Sequence, residues 1–272
     1  MYQTNIADLD LFQIYESGQT FRWRRLDEDA YAVPAFGHLV VIRRREDGFE
    51  FSCDRGEYDS VWMDYLDGRE DYSSIKRLIR PSDLYLKDAA GFGGGIRILR
   101  QDLWETMVSF VISQNNNIPR IRNSIEALCE RFGERRVCRE AGNYEYATFP
   151  GPDVLAEAKE NEYAGLGLGY RDKYICRLAK AVAGGELSLE RLAGMEYEEA
   201  HRTLMAQYGI GRKVADCICL FGLHHIDAFP VDTHIRRILA SHYPDGFPLD
   251  AYRGYNGIMQ QYLFYFARSG HS

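Results

Sequence analysis

LMAQYGIGRKVADCICLFGL, residues 204–223, decides how this chain is read. Apolar residues at helical spacing run up to Tyr208, a Gly-Ile-Gly turn follows, and a second apolar-faced helix starts near Arg212. Two helices therefore meet at a very short hairpin. Gly209 and Gly211 suit backbone angles that a Cβ would forbid, and they leave the next amides open to a phosphate oxygen. A helix N-terminus adds about half a positive charge there. Taken alone, such a turn is more often an ordinary helix connection than a ligand site. Lys213 raises its value, because it stands in the first turn ahead of Val214, Ala215, Ile218 and Leu220. Part-burial at that place favours the uncharged, nucleophilic form of an amine.

Nineteen residues beyond Lys213, Phe-Pro-Val-Asp at 229–232 precedes the helical run from His234 to Leu239. Asp232 reads first as a helix N-cap, a role in which aspartate is among the best residues. Capping and catalysis are compatible if the same carboxylate also faces Lys213.

Outward from this pair, the spacing predicts helices at roughly 117–131, 171–184, 196–207, 211–223, 233–242 and 250–268, after an earlier one carrying Leu103, Trp104, Met107, Val108 and Val111 on one face. LGLGY at 166–170 and the two turns above supply the breaks between them. Residues 20–53 alternate differently. YAVPAF, HLVVIRR and FEFSC are β-branched and aromatic, and turn residues separate them, which predicts an antiparallel meander. The expected fold is α+β, with an N-terminal antiparallel sheet and short helices at 1–97 packed on an all-helical domain at 98–272.

A chain of 272 residues, 46% hydrophobic and 27% charged, has the composition of a folded globular protein and excludes a disordered or fibrous class. The first residues, MYQTNIADLDLF, lack a basic segment followed by an apolar run, and no later stretch approaches the ~20 apolar residues that span a bilayer. Neither secretion nor membrane insertion is expected. The cysteines at 53, 129, 138, 176, 217 and 219 are scattered, which fits reduced thiols. A net charge of -7 argues against a nucleic-acid partner, although Lys and Arg concentrate after residue 119 in segments such as YRDKY, GRK and HIRR.

Gly-Ile-Gly, a lysine two residues on, and Pro-Val-Asp nineteen residues after it together resemble the helix-hairpin-helix DNA glycosylase superfamily. Within it, GIGRKVADCICLF (209–221), SQNNNIPRI (113–121), LGLGYRDKY (166–174) and SGQTFRW (17–23) are similar to the 8-oxoguanine DNA glycosylases of the human type. The resemblance runs from about residue 9 to residue 268.

That resemblance implies a bifunctional glycosylase and AP lyase of base excision repair, with Lys213 attacking the sugar C1′ and Asp232 stabilising the oxocarbenium charge. It also implies that the damaged nucleotide is flipped out of the duplex. Asn115 would fill the vacated space, Tyr170 would wedge the stack, and Arg120 and Arg171 would bond the estranged cytosine. The carbonyl of Gly18 would read the hydrogen on N7 that 8-oxoguanine carries and guanine lacks. Cys217 and Phe264 would sandwich the purine, Gln260 would address its Watson-Crick edge, and His234 would contact the 5′ phosphate. Hairpin carbonyls of Met205, Gln207 and Ile210 would hold a structural cation bridging to a DNA phosphate, while no cofactor is required. Pro119 and Phe221 depart from the pattern expected at their positions. The expected partner is double-stranded DNA containing an oxidised purine, bound by a monomer. The expected location is cytoplasmic and nucleoid-associated in a bacterium, or nuclear in a eukaryote.

Each of these residues also has a plainer reading. Consecutive asparagines are commonly a loop, Tyr170 a core aromatic, Gly18 a turn glycine and His234 a structural histidine. Two rival functions follow: a superfamily glycosylase of other lesion specificity, and a non-catalytic helix-hairpin-helix DNA-binding protein. No cysteine follows Cys219, so the C-terminal four-cysteine iron-sulfur cluster of several relatives is not expected.

Overall fold

The computed structural model describes residues 1–270; residues 271–272, the last two of the domain expected over 98–272, lie outside it. Five strands form an antiparallel sheet: β1 (Tyr2–Thr4), β2 (Arg24–Arg25), β3 (Ala30–Ala35), β4 (His38–Arg45) and β5 (Gly48–Phe51), in the order β1-β5-β4-β3-β2. The sheet is the meander expected from 20–53, extended by the N-terminal strand along one edge. Phe36 and Gly37 join β3 to β4 with φ of 50° and 76°, the double left-handed turn that matches the twist of a hairpin. Trp23, Tyr31, Val33, Ile42, Phe51, Tyr58 and Trp62 make this region's own core. Over it lie α1 (Leu11–Glu16) and two single helical turns, α2 (Arg55–Glu57) and α3 (Met63–Tyr65), flanking a π-turn at Tyr58–Trp62.

The remaining helices are α4 (Tyr72–Arg77), α5 (Leu84–Phe92), α6 (Leu103–Ser113), α7 (Ile118–Phe132), α8 (Pro152–Glu157), α9 (Arg171–Ala183), α10 (Leu189–Ala193), α11 (Tyr197–Met205), α12 (Arg212–Phe221), α13 (Thr233–His242) and α14 (Asn256–Arg268). Tyr72, Ile75, Leu86 and Ala89 of α4 and α5 are buried in the helical core with Met107, Ile218 and Leu263. Arg97 fastens the two cores together. Only 1% exposed, its guanidinium donates to the carbonyls of Ala7, Leu66, Asp67 and Glu70, which satisfies a buried charge with four acceptors.

Two expectations need correction. The segment after residue 98 is not wholly helical, because β6 (Arg135–Cys138) pairs antiparallel with β7 (Tyr144–Ala147). β6 is largely exposed and reads Arg-Arg-Val-Cys with no apolar alternation, β7 is half-buried but only four residues long, and Gly142 and Asn143 supply the left-handed turn. The last helix starts at Asn256 and not at 250; a 3-10 turn at Leu249–Tyr252 precedes it, and Gly254 breaks the chain with φ of 90°.

Candidate active site

The hairpin forms where the glycines place it. Gly209 has φ of 86°, and a Cβ there would stand 2.4 Å from the ring of Tyr174 on α9. Gly211 is the N-cap of α12 with no side-chain acceptor, so the first amides of the helix are not closed off by a capping group. From Val214 to Phe221 every residue of α12 is buried, and Phe221 stacks on Phe110 of α6 with centroids 5.4 Å apart. The Phe221 departure noted in the sequence thus fills the α6–α12 interface. Lys213, in the first turn of the helix, is half-buried and has its Nζ 5.4 Å from the centroid of the Phe110 ring. Below it Cys217 is buried; burial pushes its thiol up, with the Lys213 charge opposing, so it presents a neutral sulfur.

Asp232 caps α13, its Oδ1 accepting the Ile235 amide hydrogen at 2.8 Å. The capping expectation is met, and the carboxylate faces the same cleft as Lys213. This cleft of about 810 Å³ also brings in Gly18, Asn115, Gly211, His234 and Phe264. Among the described residues Lys213 and Asp232 make no ion pair within 4.0 Å, although both line this cleft. Arg212, Lys213, Arg236 and Arg268 line the cleft against Asp232 as its carboxylate, so the cavity is cationic although the chain carries -7.

The three asparagines divide their work. Asn117 caps α7, accepting the Arg120 amide hydrogen at 3.1 Å, and Pro119 fits the first turn of that helix. Asn116 donates to the Ile112 carbonyl at 3.1 Å and closes the end of α6. Asn115 is left exposed in a left-handed conformation, φ 46°, with its amide donating to the Tyr170 hydroxyl at 3.3 Å. Arg171 is buried beneath this loop and donates to the carbonyls of Gln114, Asn115 and Leu168, so its guanidinium is turned to the protein and away from the cleft. Arg120 is exposed outside the cleft lining, and Tyr170 is 47% exposed. Gln114, which sequence reasoning passed over, donates to the Gly209 carbonyl at 3.0 Å and ties this loop to the hairpin.

On the opposite wall Gly18 follows α1 with φ of 76°, and a Cβ there would meet the Phe264 ring at 3.4 Å. The rest of SGQTFRW anchors that turn. Buried Gln19 donates to the Arg97 carbonyl at 2.9 Å and accepts the Leu99 amide hydrogen at 2.9 Å; Arg22 pairs with Glu105 at 3.0 Å; and Trp23 donates to the Tyr65 hydroxyl at 2.8 Å. His234 packs edge-on against Phe264 at 5.9 Å. Gln260 lies one turn before Phe264, but it is buried and donates to the Pro230 carbonyl at 2.9 Å, outside the cleft lining. The carbonyls of Met205 and Gln207 lie at the C-terminal end of α11, where helix carbonyls point outward and attract cations; that of Gln207 also accepts the Ile210 amide hydrogen at 3.1 Å.

A sheet-capped helical bundle, a glycine hairpin with uncapped helix amides, and a lysine and an aspartate lining one cationic cleft define a helix-hairpin-helix DNA glycosylase. Residues 108–246 match the model of the HhH-GPD superfamily of base excision DNA repair proteins, and residues 1–107 match the N-terminal domain of 8-oxoguanine DNA glycosylase. The N-glycosylase/DNA lyase of Saccharomyces cerevisiae is 31% identical over 265 residues, 88% of this chain and 69% of the yeast protein. MBOgg1, solved in complex with a low-affinity DNA ligand, is 35% identical with a TM-score of 0.92, all of both chains being covered at 100%. The 8-oxoguanine glycosylase/lyase of Clostridium acetobutylicum, solved with double-stranded DNA containing cytosine opposite to 8-oxoguanine, is 33% identical with a TM-score of 0.90, covering 100% of this chain and 98% of that one. The chain belongs to the 8-oxoguanine DNA glycosylase family. Among the described residues no helix is long and apolar enough to cross a membrane.

Proposed function

We propose that the protein is a bifunctional glycosylase and AP lyase that removes 8-oxoguanine from double-stranded DNA, preferentially opposite cytosine. The observation that carries this reading is the convergence of Lys213, Asp232, Gly18 and Phe264 on one cleft from four separate elements. Their chemistry suits the two steps. As the C1′–N9 bond breaks, its electron pair leaves with the base, which takes up a proton, and positive charge grows on the sugar beside the Asp232 carboxylate. The Lys213 nitrogen bonds to C1′ and loses its protons as the ring opens, giving a Schiff base. That imine acidifies the 2′ hydrogen; its removal expels the 3′ phosphate and cuts the strand. Lysine and carboxylate suffice for this sequence, so it calls on no cofactor.

Recognition follows from the same wall. The Gly18 carbonyl accepts the N7 hydrogen of the oxidised base and repels the lone pair that guanine presents there; sites that leave a buried polar group unpaired discriminate by ~10⁴-fold or more. Phe264 and Cys217 enclose the purine. Gln260 exchanges its bond to Pro230 for the Watson-Crick edge, Asn115 and Tyr170 hold the duplex open, and Arg120 and Arg171 bond the cytosine left behind once Arg171 turns out from under its loop. His234 and the amides after Gly209 and Gly211 grip phosphates, helped by a cation on the carbonyls of Met205, Gln207 and Ile210. The enzyme acts as a monomer on chromosomal DNA, in the nucleoid or nucleus according to its source.

Duplexes with 8-oxoguanine opposite each of the four bases test the proposal. The expected result is excision and strand cleavage fastest opposite cytosine, with both lost in Lys213→Gln. Equal activity on undamaged guanine, or undiminished cleavage by Lys213→Gln, would refute it.

A further inference from the structure

Between α1 and α14 an ion pair lies beside the lesion-reading wall, and neither partner belongs to the motifs read from the sequence. Arg268, the last residue of α14, donates one guanidinium nitrogen to the backbone carbonyl of Glu16 and the other to the Glu16 carboxylate at 2.8 Å. Glu16 ends α1, two residues before Gly18. From α7 a second arginine grips the same turn: Arg122 donates to the Tyr15 carbonyl, lies over the Tyr15 ring at 3.7 Å from its centroid, and approaches Glu16 at 3.7 Å.

Geometry gives this clamp an unusual position. Arg268 is four residues after Phe264, hence on the same face of α14, and both line the cleft. Its Nη1 lies 3.6 Å, and the Phe264 ring 3.4 Å, from where a Gly18 Cβ would stand. One helix end therefore carries the ring that holds the purine and the cation that fixes the turn beside it.

An exposed ion pair of this kind contributes little to stability, ~0–1 kcal/mol. Here one nitrogen meets the carboxylate and the other the backbone carbonyl of the same residue, with the side chains only 26% and 29% exposed, so its consequence is positional. Reading one hydrogen on N7 requires the Gly18 carbonyl to sit at a set distance from a purine stacked on Phe264. Freed from Arg268, the turn would keep its Gln19 anchor and the Arg122 grip on Tyr15, but lose the contact that ties it to the helix carrying Phe264.

We infer that the Glu16–Arg268 clamp is a specificity-determining positioning device that sets the Gly18 turn against the Phe264 ring. The inference rests on the lesion-reading role proposed above. It predicts that base recognition suffers far more than sugar chemistry, because a preformed abasic site has no base to read but still needs Lys213.

The test compares Arg268→Gln, Arg268→Lys and Glu16→Gln on two duplexes, one with 8-oxoguanine opposite cytosine and one with an abasic site opposite cytosine. Single-turnover rates give the ratio of base excision to abasic-site cleavage. For Arg268→Gln and Glu16→Gln this ratio should fall on the order of ten- to a hundred-fold, the cost of misplacing a recognition group by about an ångström. Arg268→Lys, which retains charge but not the fork, should fall between these and the wild type. An unchanged ratio in Arg268→Gln, including one in which both rates drop together, overturns the clamp. Wild-type protein unable to cleave the abasic duplex overturns the Lys213 reading, and the inference with it.

Discussion

At Asp232 two duties meet in one carboxylate. Its Oδ1 accepts the Ile235 amide hydrogen and caps α13, while the residue lines the same cleft as Lys213, where the proposed mechanism gives it a catalytic duty. The duties separate by substitution, because asparagine caps a helix nearly as well as aspartate but carries no charge. Asp232→Asn should keep its unfolding midpoint in urea and its affinity for the lesion duplex, yet excise the base slower on the order of a hundred-fold or more. Asp232→Ala should add a stability loss of about 0.5–2 kcal/mol from the missing cap. Parallel loss of stability and rate in both variants would make Asp232 a cap alone.

The hairpin shows what a single element can reveal before its surroundings are known. Gly209 and Gly211 were legible as a turn because glycine's conformational freedom is a local property, and Asp232 as a cap for the same reason. What Gly209 touches was not legible. Tyr174 comes from α9, thirty-five residues earlier, and only the folded chain brings its ring against the glycine. The clamp from Arg268 to Glu16 spans 252 residues, and the Gln114 bond to the hairpin spans 95, so no local pattern announces either. Likewise β6 and β7 escaped because each is only four residues long and the exposed β6 has no apolar period to read. Gly209→Ala combines a left-handed φ with a ring 2.4 Å from the new methyl, so it should lower stability by about 1–3 kcal/mol and weaken DNA binding together. Urea unfolding and duplex titration measure the two effects, and a variant unchanged in both would mean that the Tyr174 contact does not shape the hairpin.

Taken whole, the molecule reconciles an acidic chain with a polyanionic partner. The total of -7 counts every surface, whereas on the proposed reading DNA meets the cleft mouth, where Arg212, Lys213 and Arg236 gather and no side chain caps the first amides of α12. Two cores build that mouth: the Gly18 turn follows α1 of the sheet region, Lys213, Asp232 and Phe264 belong to helices of the larger core, and Arg97 joins the two regions by donating to four carbonyls. On the proposed mechanism, catalysis depends on one covalent event within the cleft. Trapping with borohydride on an 8-oxoguanine:cytosine duplex, followed by peptide mapping of the adduct, observes that event directly. The account predicts a reduced sugar remnant on the Lys213 side chain; no adduct, or one attached to any other residue, would contradict it.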